Sequence, residues 1–390
     1  MSAAAGSKAG TALLTLGRLP KGLDLARALA QAGWRVLVAE PGKRHLCGSS
    51  RAVSASFQVA APFNEPEAYL SDLIEIIERE SVDLVLPVSE EILHVAALHD
   101  RVGPGVRIAS MPLDQLLSVH GKLSFVRQAE AFGLSAPITH RLSEANGQTL
   151  IQDYAAIIKR EFSCAGAGLE MVAKGAALPT RDQPDEWLVQ QRIDGQELCS
   201  FTIADRGRSI ATVVYRGTVV SGTVAVCFKR IDPDPAVVDW VERYIEGAGL
   251  SGFIGFDLMV NDQGEVFGLE CNPRATSGVH FFKQADLASA IIDPMNCQQL
   301  RFKAHRLFQQ FYPTLTETQI SFFKRDQFVH KLGQLLRARD VSWQLSDPLP
   351  FLLLPWTAWA ILSKTLFKGM SFGEAATWDI EWIAPSERAS

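Results

Sequence analysis

The sequence predicts an α/β protein built from two domains and a C-terminal extension, and three observations predict it. Strand and helix patterns alternate through the N-terminal part, the rhythm of a parallel sheet with crossover helices. Strand patterns separated by short turns follow, as an antiparallel sheet requires. The chain has 390 residues, too many for one typical domain. The expected boundaries are 1–112 for the parallel unit, 113–295 for a second module and 296–390 for an extension.

The N-terminal unit opens with an apolar strand, Thr11–Leu16, then Gly17, and a helix over Gly22–Ala32. Arg35–Ala39 is the next strand. A helix over Glu67–Arg79, a strand at Asp83–Leu86 and a helix over Glu90–His99 continue the alternation. Gly17 and Gly22 with Glu40 do not have the G-x-G-x-x-G spacing of a dinucleotide site. Gly121–Phe132 reads as an amphipathic helix closed by Gly133.

Ala155–Lys159 is a strand that ends in lysine, followed by Ser163-Cys-Ala-Gly166-Ala-Gly168. Small residues let the backbone approach phosphate oxygens, and successive N–H groups form an anion nest. Lys159 is placed to reach the same phosphates, although no GK[ST] P-loop is present. Strands are expected at Leu198–Ala204, Ser209–Tyr215 and Gly222–Cys227, and a helix over Pro235–Gly247.

The densest chemistry lies in Phe253–Arg274, two apolar runs flanking the turn Asn261-Asp-Gln-Gly264. With an even loop, Val260 pairs with Glu265, and Asp257, Gly268, Glu270 and Asn272 share one face. An odd loop would break that face. The opposite face, with Phe256, Leu258, Val260, Phe267, Leu269 and Cys271, is a core face. Asp257, Glu270 and Asn272 offer oxygen ligands that suit Mg²⁺, which shares its shell with phosphates. Arg274 adds a planar cationic fork for phosphate or carboxylate.

Composition narrows the function classes. Apolar residues make up 47% and charged residues 21%, the balance of a folded protein. The net charge of −5 gives no basic field for nucleic acid. Eight histidines show no zinc spacing, and six dispersed cysteines without a CxxC pair read as reduced thiols. No secretory signal is evident, so the expected location is the cytoplasm.

The pattern Asp257…Glu270-Cys-Asn272-Pro-Arg274 resembles the metal-binding hairpin of the ATP-grasp superfamily, in particular the biotin carboxylase and carbamoyl-phosphate synthetase large-chain branch. The resemblance covers roughly residues 11–290. It implies an N-terminal Rossmann-like domain that lines the acceptor side, then a two-subdomain nucleotide module. It implies ATP with Mg²⁺ (Mn²⁺ as an alternative) on Asp257, Glu270 and Asn272. Lys122 takes the place of a phosphate-contacting lysine, and Ser163, Gly166 and Gly168 belong to the glycine-rich flap. Gln190 would reach the adenine amine, backbone groups at Gln191–Ile193 the adenine edge, and Glu197 the ribose. Lys229 and Arg230 are further candidates for the γ-phosphate.

By this resemblance the activity is that of an ATP-dependent carboxylate–amine ligase. Lys159 and Arg274 would be its catalytic side chains, and a small carboxylic acid and an amine its substrates. Arg274 is followed by Ala275-Thr-Ser-Gly278, without the glutamate that biotin carboxylases place there, and the module occurs once. Both points argue against biotin carboxylation and against the full carbamoyl-phosphate synthetase reaction. The alternatives are a kinase-like ATP-grasp enzyme and an inactive nucleotide-binding or membrane-peripheral protein. A homodimer is compatible with the sequence.

The extension matches no pattern of this kind. A basic, aromatic helix is expected over Leu300–Phe311. Leu349–Leu362, with Pro350, Pro355, Trp356 and Trp359, is too short to span a bilayer and is expected to pack against the body. Membrane association is therefore disfavoured.

Overall fold

The computed structural model describes residues 9–162, 168–297, 300–368, 370 and 372–382. Ser163 and Gly166 of the expected flap lie outside the described residues.

The N-terminal sheet contains β1 (Thr11–Leu14), β2 (Arg35–Glu40), β3 (Ala55–Gln58), β4 (Leu84–Leu86) and β5 (Arg107–Ile108). All are parallel, in the order β3-β2-β1-β4-β5. Helices α1 (Pro20–Gln31), α2 (Pro66–Glu80) and α3 (Ile92–Val95) accompany it. Proline opens α1 and α2, where the missing N–H costs nothing. The loop after β1 is filled by side chains. Glu40 Oε2 accepts from the N–H groups of Gly17 and Arg18, both at 3.0 Å, and a Cβ on Gly17 would strike His45. This crowding agrees with the absence of a dinucleotide fingerprint.

Two helices, α4 (Leu113–His120) and α5 (Lys122–Ala131), meet at Gly121 and lead into the second module. Its first sheet has β6 (Thr139–Arg141), β7 (Ala156–Arg160), β8 (Glu170–Val172) and β9 (Trp187–Gln191), with α6 (Ala145–Asp153) between β6 and β7. The order is β6-β9-β7-β8, antiparallel throughout. It has its own small core, in which Leu150 and Ile151 of α6 meet Ile158 and Val189.

The larger sheet contains β10 (Gln196–Asp205), β11 (Arg208–Ser221), β12 (Val224–Ile231), β13 (Gly252–Val260), β14 (Val266–Asn272), β15 (Leu307–Gln309) and β16 (Arg339–Asp340). Its order is β14-β13-β10-β11-β12-β15-β16. One face packs on α7 (Pro235–Gly247), where Trp240 and Tyr244 meet Phe256 and Phe125. Asp234 caps that helix, accepting from Ala236 N–H at 2.9 Å. The other face joins the N-terminal domain through Phe201, Tyr215 and Phe228, which pack with α1 and the short turn Ser277–Phe281.

The extension departs from expectation in two ways. Residues 300–310 form no helix; β15 pairs there with β12 and lengthens the large sheet. Helix α8 (Gln284–Ile292) packs on α1, while α9 (Phe311–Ile320) packs on β11 and β12 and on α10 (Arg325–Arg337). The apolar segment is only partly covered: Pro350 and Ile361 are buried, Leu354 packs on the main core and Phe351 on Phe311 and Trp343, whereas Leu353 is 42% and Trp356 62% exposed and Arg44 stacks on the Trp356 ring at 4.7 Å. Polar contacts also tie this region down. Buried Arg27 of α1 donates to Asp347 Oδ2 at 2.9 Å and to the carbonyls of Ser342 and Asp347. Arg18 donates to Asp379 Oδ1 at 2.6 Å and also pairs with Glu40. No helix among the described residues is long and apolar enough to cross a membrane.

Candidate active site between the two antiparallel sheets

The hairpin β13–β14 carries the site, by a different register from the one expected. Val260 pairs with Val266, leaving a five-residue turn closed by Asn261 N–H to Glu265 C=O at 3.1 Å. Asn261 Oδ1 accepts from Gln263 and Glu265 N–H groups, and Gly264 supplies the left-handed backbone at φ +79°. An odd turn reverses the side-chain parity. The register then shifts again between Asp257 and Leu258, where Leu269 bulges, and parity is restored. Asp257 therefore faces Glu270, and Gly255 faces Asn272. The correction falls on Gly268, which lies on the core side, where a Cβ would strike Trp240 and Phe125. Phe267 and Leu269 are correspondingly only half-buried.

Asp257, Glu270 and Asn272 form one cluster. Asn272 Nδ2 donates to Asp257 Oδ2 at 3.1 Å. Burial, then the neighbouring Glu270, push the Asp257 carboxyl up to about 7. Burial also opposes ionisation of Glu270, but Lys122 and Lys159 outweigh it and hold Glu270 down at about 2. Two adjacent buried carboxylates oppose each other's ionisation, and a divalent cation placed between them would relieve that repulsion. No group of three or more His, Cys, Asp or Glu side chains able to hold a metal occurs among the described residues. Two carboxylates and an amide suit an ion that completes its shell from phosphate.

Both lysines reach this cluster. Lys122, at the first turn of α5, is buried, 3.7 Å from Glu270 Oε2, and donates to Glu161 C=O at 3.3 Å. Lys159 faces away from the small core and donates to Leu269 C=O at 3.4 Å. Burial and the charge of Lys122 lower Lys159 to about 8. Helix α5 and the small sheet therefore supply a cationic pair, Lys122 and Lys159, that faces the anionic set of the large sheet, the arrangement that cradles a metal-bound polyphosphate.

Arg274 is more enclosed than expected. Its Nε donates to Glu90 Oε1 at 2.7 Å, and its Nη2 contacts the same oxygen at 2.6 Å and Asn272 Oδ1 at 2.9 Å. Glu90 is buried and comes from the N-terminal domain, just beyond β4. Burial raises its carboxyl, but Arg274 and His120 prevail and keep it below the usual range. Lys21 lies beside it, donating to Ser89 Oγ at 3.0 Å and Ala275 C=O at 2.8 Å. Glu90, Lys21 and His120 were not identified from the sequence. The available signal was position: Ser89-Glu90-Glu91 follows the carboxyl end of a parallel strand, where open α/β sheets bind ligands.

The segment 190–197 partly matches expectation. The side chain of Gln190 is buried and donates to Thr139 Oγ1 at 3.0 Å. The N–H groups of Gln191 and Arg192 are spent on Ile138 C=O at 2.8 Å and Ala155 C=O at 2.9 Å. The Ile193 N–H has no backbone partner among the described residues. Glu197 is exposed on the Asp257 face of β10, opposite Met259. Gly168 has φ +72° against the Trp187 ring. Lys229 projects from the other face of the sheet, whereas Arg230 stacks on Phe302 at 4.7 Å and donates to Lys303 C=O.

Comparison with known proteins agrees with this geometry. Residues 119–278 match the family model described as an ATP-grasp domain. The chain carries an ATP-grasp domain. The structure is similar to that of Rhizobium etli pyruvate carboxylase, with a TM-score of 0.60 and 15% identity, over 77% of this chain but only 31% of that one. It thus spans about a third of that enzyme. N5-carboxyaminoimidazole synthetase from Staphylococcus aureus is similar with a TM-score of 0.60 and 12% identity, over 83% of this chain and 87% of that one. L-amino acid ligase from Bacillus licheniformis gives a TM-score of 0.55 and 14% identity, over 73% and 75%. No curated protein sequence matches the chain.

Proposed function

We propose that this protein is an ATP-dependent ligase that activates a small carboxylic acid as an acyl phosphate and couples it to an amine, releasing ADP and phosphate. One observation carries the reading: Lys122 and Lys159 converge on the Asp257–Glu270–Asn272 cluster between two antiparallel sheets. The ligase named among the similar structures, which joins amino acids, supports the same class.

Asp257, Glu270 and Asn272 would hold Mg²⁺ or Mn²⁺, which when bound neutralises charge on the transferring phosphates. Lys122 and Lys159 bind the phosphate oxygens. The Ile193 N–H meets the adenine edge, Glu197 accepts from the ribose, and Gly168 approaches the phosphates. Gln190 then acts through Thr139, shaping the wall, instead of reaching the adenine itself. A carboxylate oxygen of the acid attacks the γ-phosphorus, and the bond to the ADP oxygen breaks. The amine nitrogen next attacks the acyl carbon, phosphate departs, and the amine proton passes to solvent. Positioning and charge carry both steps. Arg274, fixed by Glu90, directs its charge at the acyl phosphate, and Lys21 lies beside it at the acceptor side.

The test is ADP release from MgATP with panels of acids and amines. Release that needs both an acid and an amine, with an amide formed, is the expected result. A stable phosphoryl ester from one acceptor would replace the ligase with a kinase-like enzyme. Binding of MgATP without turnover on any pair would leave a nucleotide-binding protein.

A further inference from the structure

A cleft of 1020 Å³ lies away from the nucleotide site, between α1, the start of α8, the strand segment 301–309 and residues 338–351. Its volume is at the upper end of small-molecule sites. Its lining includes five Lys and Arg side chains (Arg27, Lys283, Arg301, Lys303 and Arg339) but two carboxylates, Asp24 and Asp340. Both carboxylates already have donors, Asp24 within the lining itself, where it takes up Lys303. Asp24 accepts from His280 Nδ1 at 2.7 Å and from Lys303 at 3.4 Å. Asp340 accepts from the N–H groups of Phe311, Ser342 and Trp343. Arg301 is held by Asp286 and Arg27 by Asp347. Lys283 and Arg339 have no carboxylate within ion-pair distance among the described residues.

A further feature favours an anion. The N-terminus of α8, a nine-residue helix with no side-chain cap, lies on the cleft at Lys283 and Gln284, and the acid of its first turn, Asp286, accepts from Arg301. His305 also lines the cleft, but burial and Arg339 hold its imidazole below the ordinary value, so it adds no cation. The opposite wall is aromatic: Phe311 and Trp343 both pack on Phe351, at 5.8 and 5.4 Å between ring centres.

We infer that this cleft binds an amphiphilic organic anion, with a carboxylate or phosphate head on Lys283, Arg339 and the start of α8 and an apolar body on the Phe311–Trp343–Phe351 wall. The inference stands apart from the ligase reading, because none of these residues belongs to the nucleotide site. The cleft also touches His280, in the turn that follows Arg274, so an occupant there contacts the element that leads away from the reacting groups.

The test is calorimetry on the full chain with 1-naphthyl phosphate, 1-naphthaleneacetate and the neutral 1-naphthalenemethanol. One or both anions are expected to bind with 1:1 stoichiometry, and the alcohol at least tenfold more weakly. Binding of only one anion identifies the head group. Saturating MgATP should leave the affinity unchanged. The double variant K283A/R339A should lose at least tenfold, with an unchanged melting temperature because both side chains are exposed. Should that variant be unstable, R339Q alone with a threefold loss gives the same result. The inference is overturned if neither anion binds, if the alcohol binds as well as the anions, if MgATP displaces them, or if removal of both cations changes nothing.

Discussion

Glu90 and Arg274 join the two halves of the molecule: the arginine that follows β14 donates its Nε to a buried carboxylate of the N-terminal domain at 2.7 Å. The same guanidinium donates to Asn272 Oδ1 at 2.9 Å. A buried ion pair adds little over an apolar pair, but removing one partner strands the other. Glu90→Ala is therefore expected to cost about 3–5 kcal/mol of stability by denaturant unfolding. Glu90→Gln, which keeps an acceptor but no charge, should fold better and still lose most ADP release, because a neutral amide holds Arg274 less firmly than the ion pair. An E90Q variant with parental turnover would show that the pair serves stability alone.

Glu270 is the carboxylate of the proposed metal cluster that Lys122 and Lys159 hold well below the usual range, against the opposing effect of burial. Glu270→Gln keeps the shape and removes the charge, so ADP release is expected to fall by about 100-fold or more, the scale of losing one charge-stabilising group. Circular dichroism should be unchanged. Turnover at the parental rate with saturating magnesium would remove Glu270 from the site.

Lys159 contacts the nucleotide and not the acceptor on this reading. A charge-assisted hydrogen bond contributes about 1.5–3 kcal/mol. Lys159→Ala is expected to weaken MgATP binding by about 10- to 100-fold while leaving acid and amine affinities within a factor of a few. Calorimetry on the variant checks this, and an unchanged nucleotide affinity would exclude the lysine.

Much of this site was legible because its residues are close in sequence and strand alternation does the rest. Asp257, Glu270 and Asn272 share a face as expected, yet they do so through a five-residue turn and a bulge at Leu269 whose parity effects cancel. Turn length and bulge are decided by Asn261 capping the turn and by Trp240 filling the space over Gly268, contacts invisible in a linear pattern. Glu90 was hidden for a related reason: its partner is 184 residues away. The strand β15 escaped detection because three residues carry no period, and its pairing with β12 is a tertiary choice. The apolar segment packs on the body only in part, through Pro350, Leu354 and Ile361, while Leu353 and Trp356 stay exposed, and composition does not reveal which residues are covered.

The Arg27–Asp347 ion pair changes what matters in the extension. Asp347 receives Arg27 Nε at 2.9 Å, Ser50 Oγ at 2.6 Å and Arg51 N–H at 3.0 Å, all from the N-terminal domain. Asp347→Ala would strand a buried guanidinium and is expected to cost about 3–5 kcal/mol. Trp356→Ala, by contrast, removes a mostly exposed ring and its stacking on Arg44, a loss of about 0.5–1 kcal/mol. Denaturant unfolding of the two variants separates them, and equal costs would show that Trp356 is covered in solution.

Asp24 gives the acid limit of the fold. It is buried; burial opposes its ionisation, but Lys303 and His280 overcome this and hold it well below the usual carboxylate range. A carboxylate depressed in the folded state contributes stability that is present above its unfolded pKa of about 3.9 and is lost as pH falls toward the folded value. Stability should therefore be flat in this respect above about pH 5 and decline below about pH 4. Asp24→Asn is expected to lower stability at neutral pH, because Lys303 and His280 lose their shared anion, and to flatten the acid decline. Urea unfolding from pH 3 to 7 on both proteins measures the difference. Parallel pH profiles for parent and variant would mean that the Asp24 carboxylate contributes nothing to the acid limb.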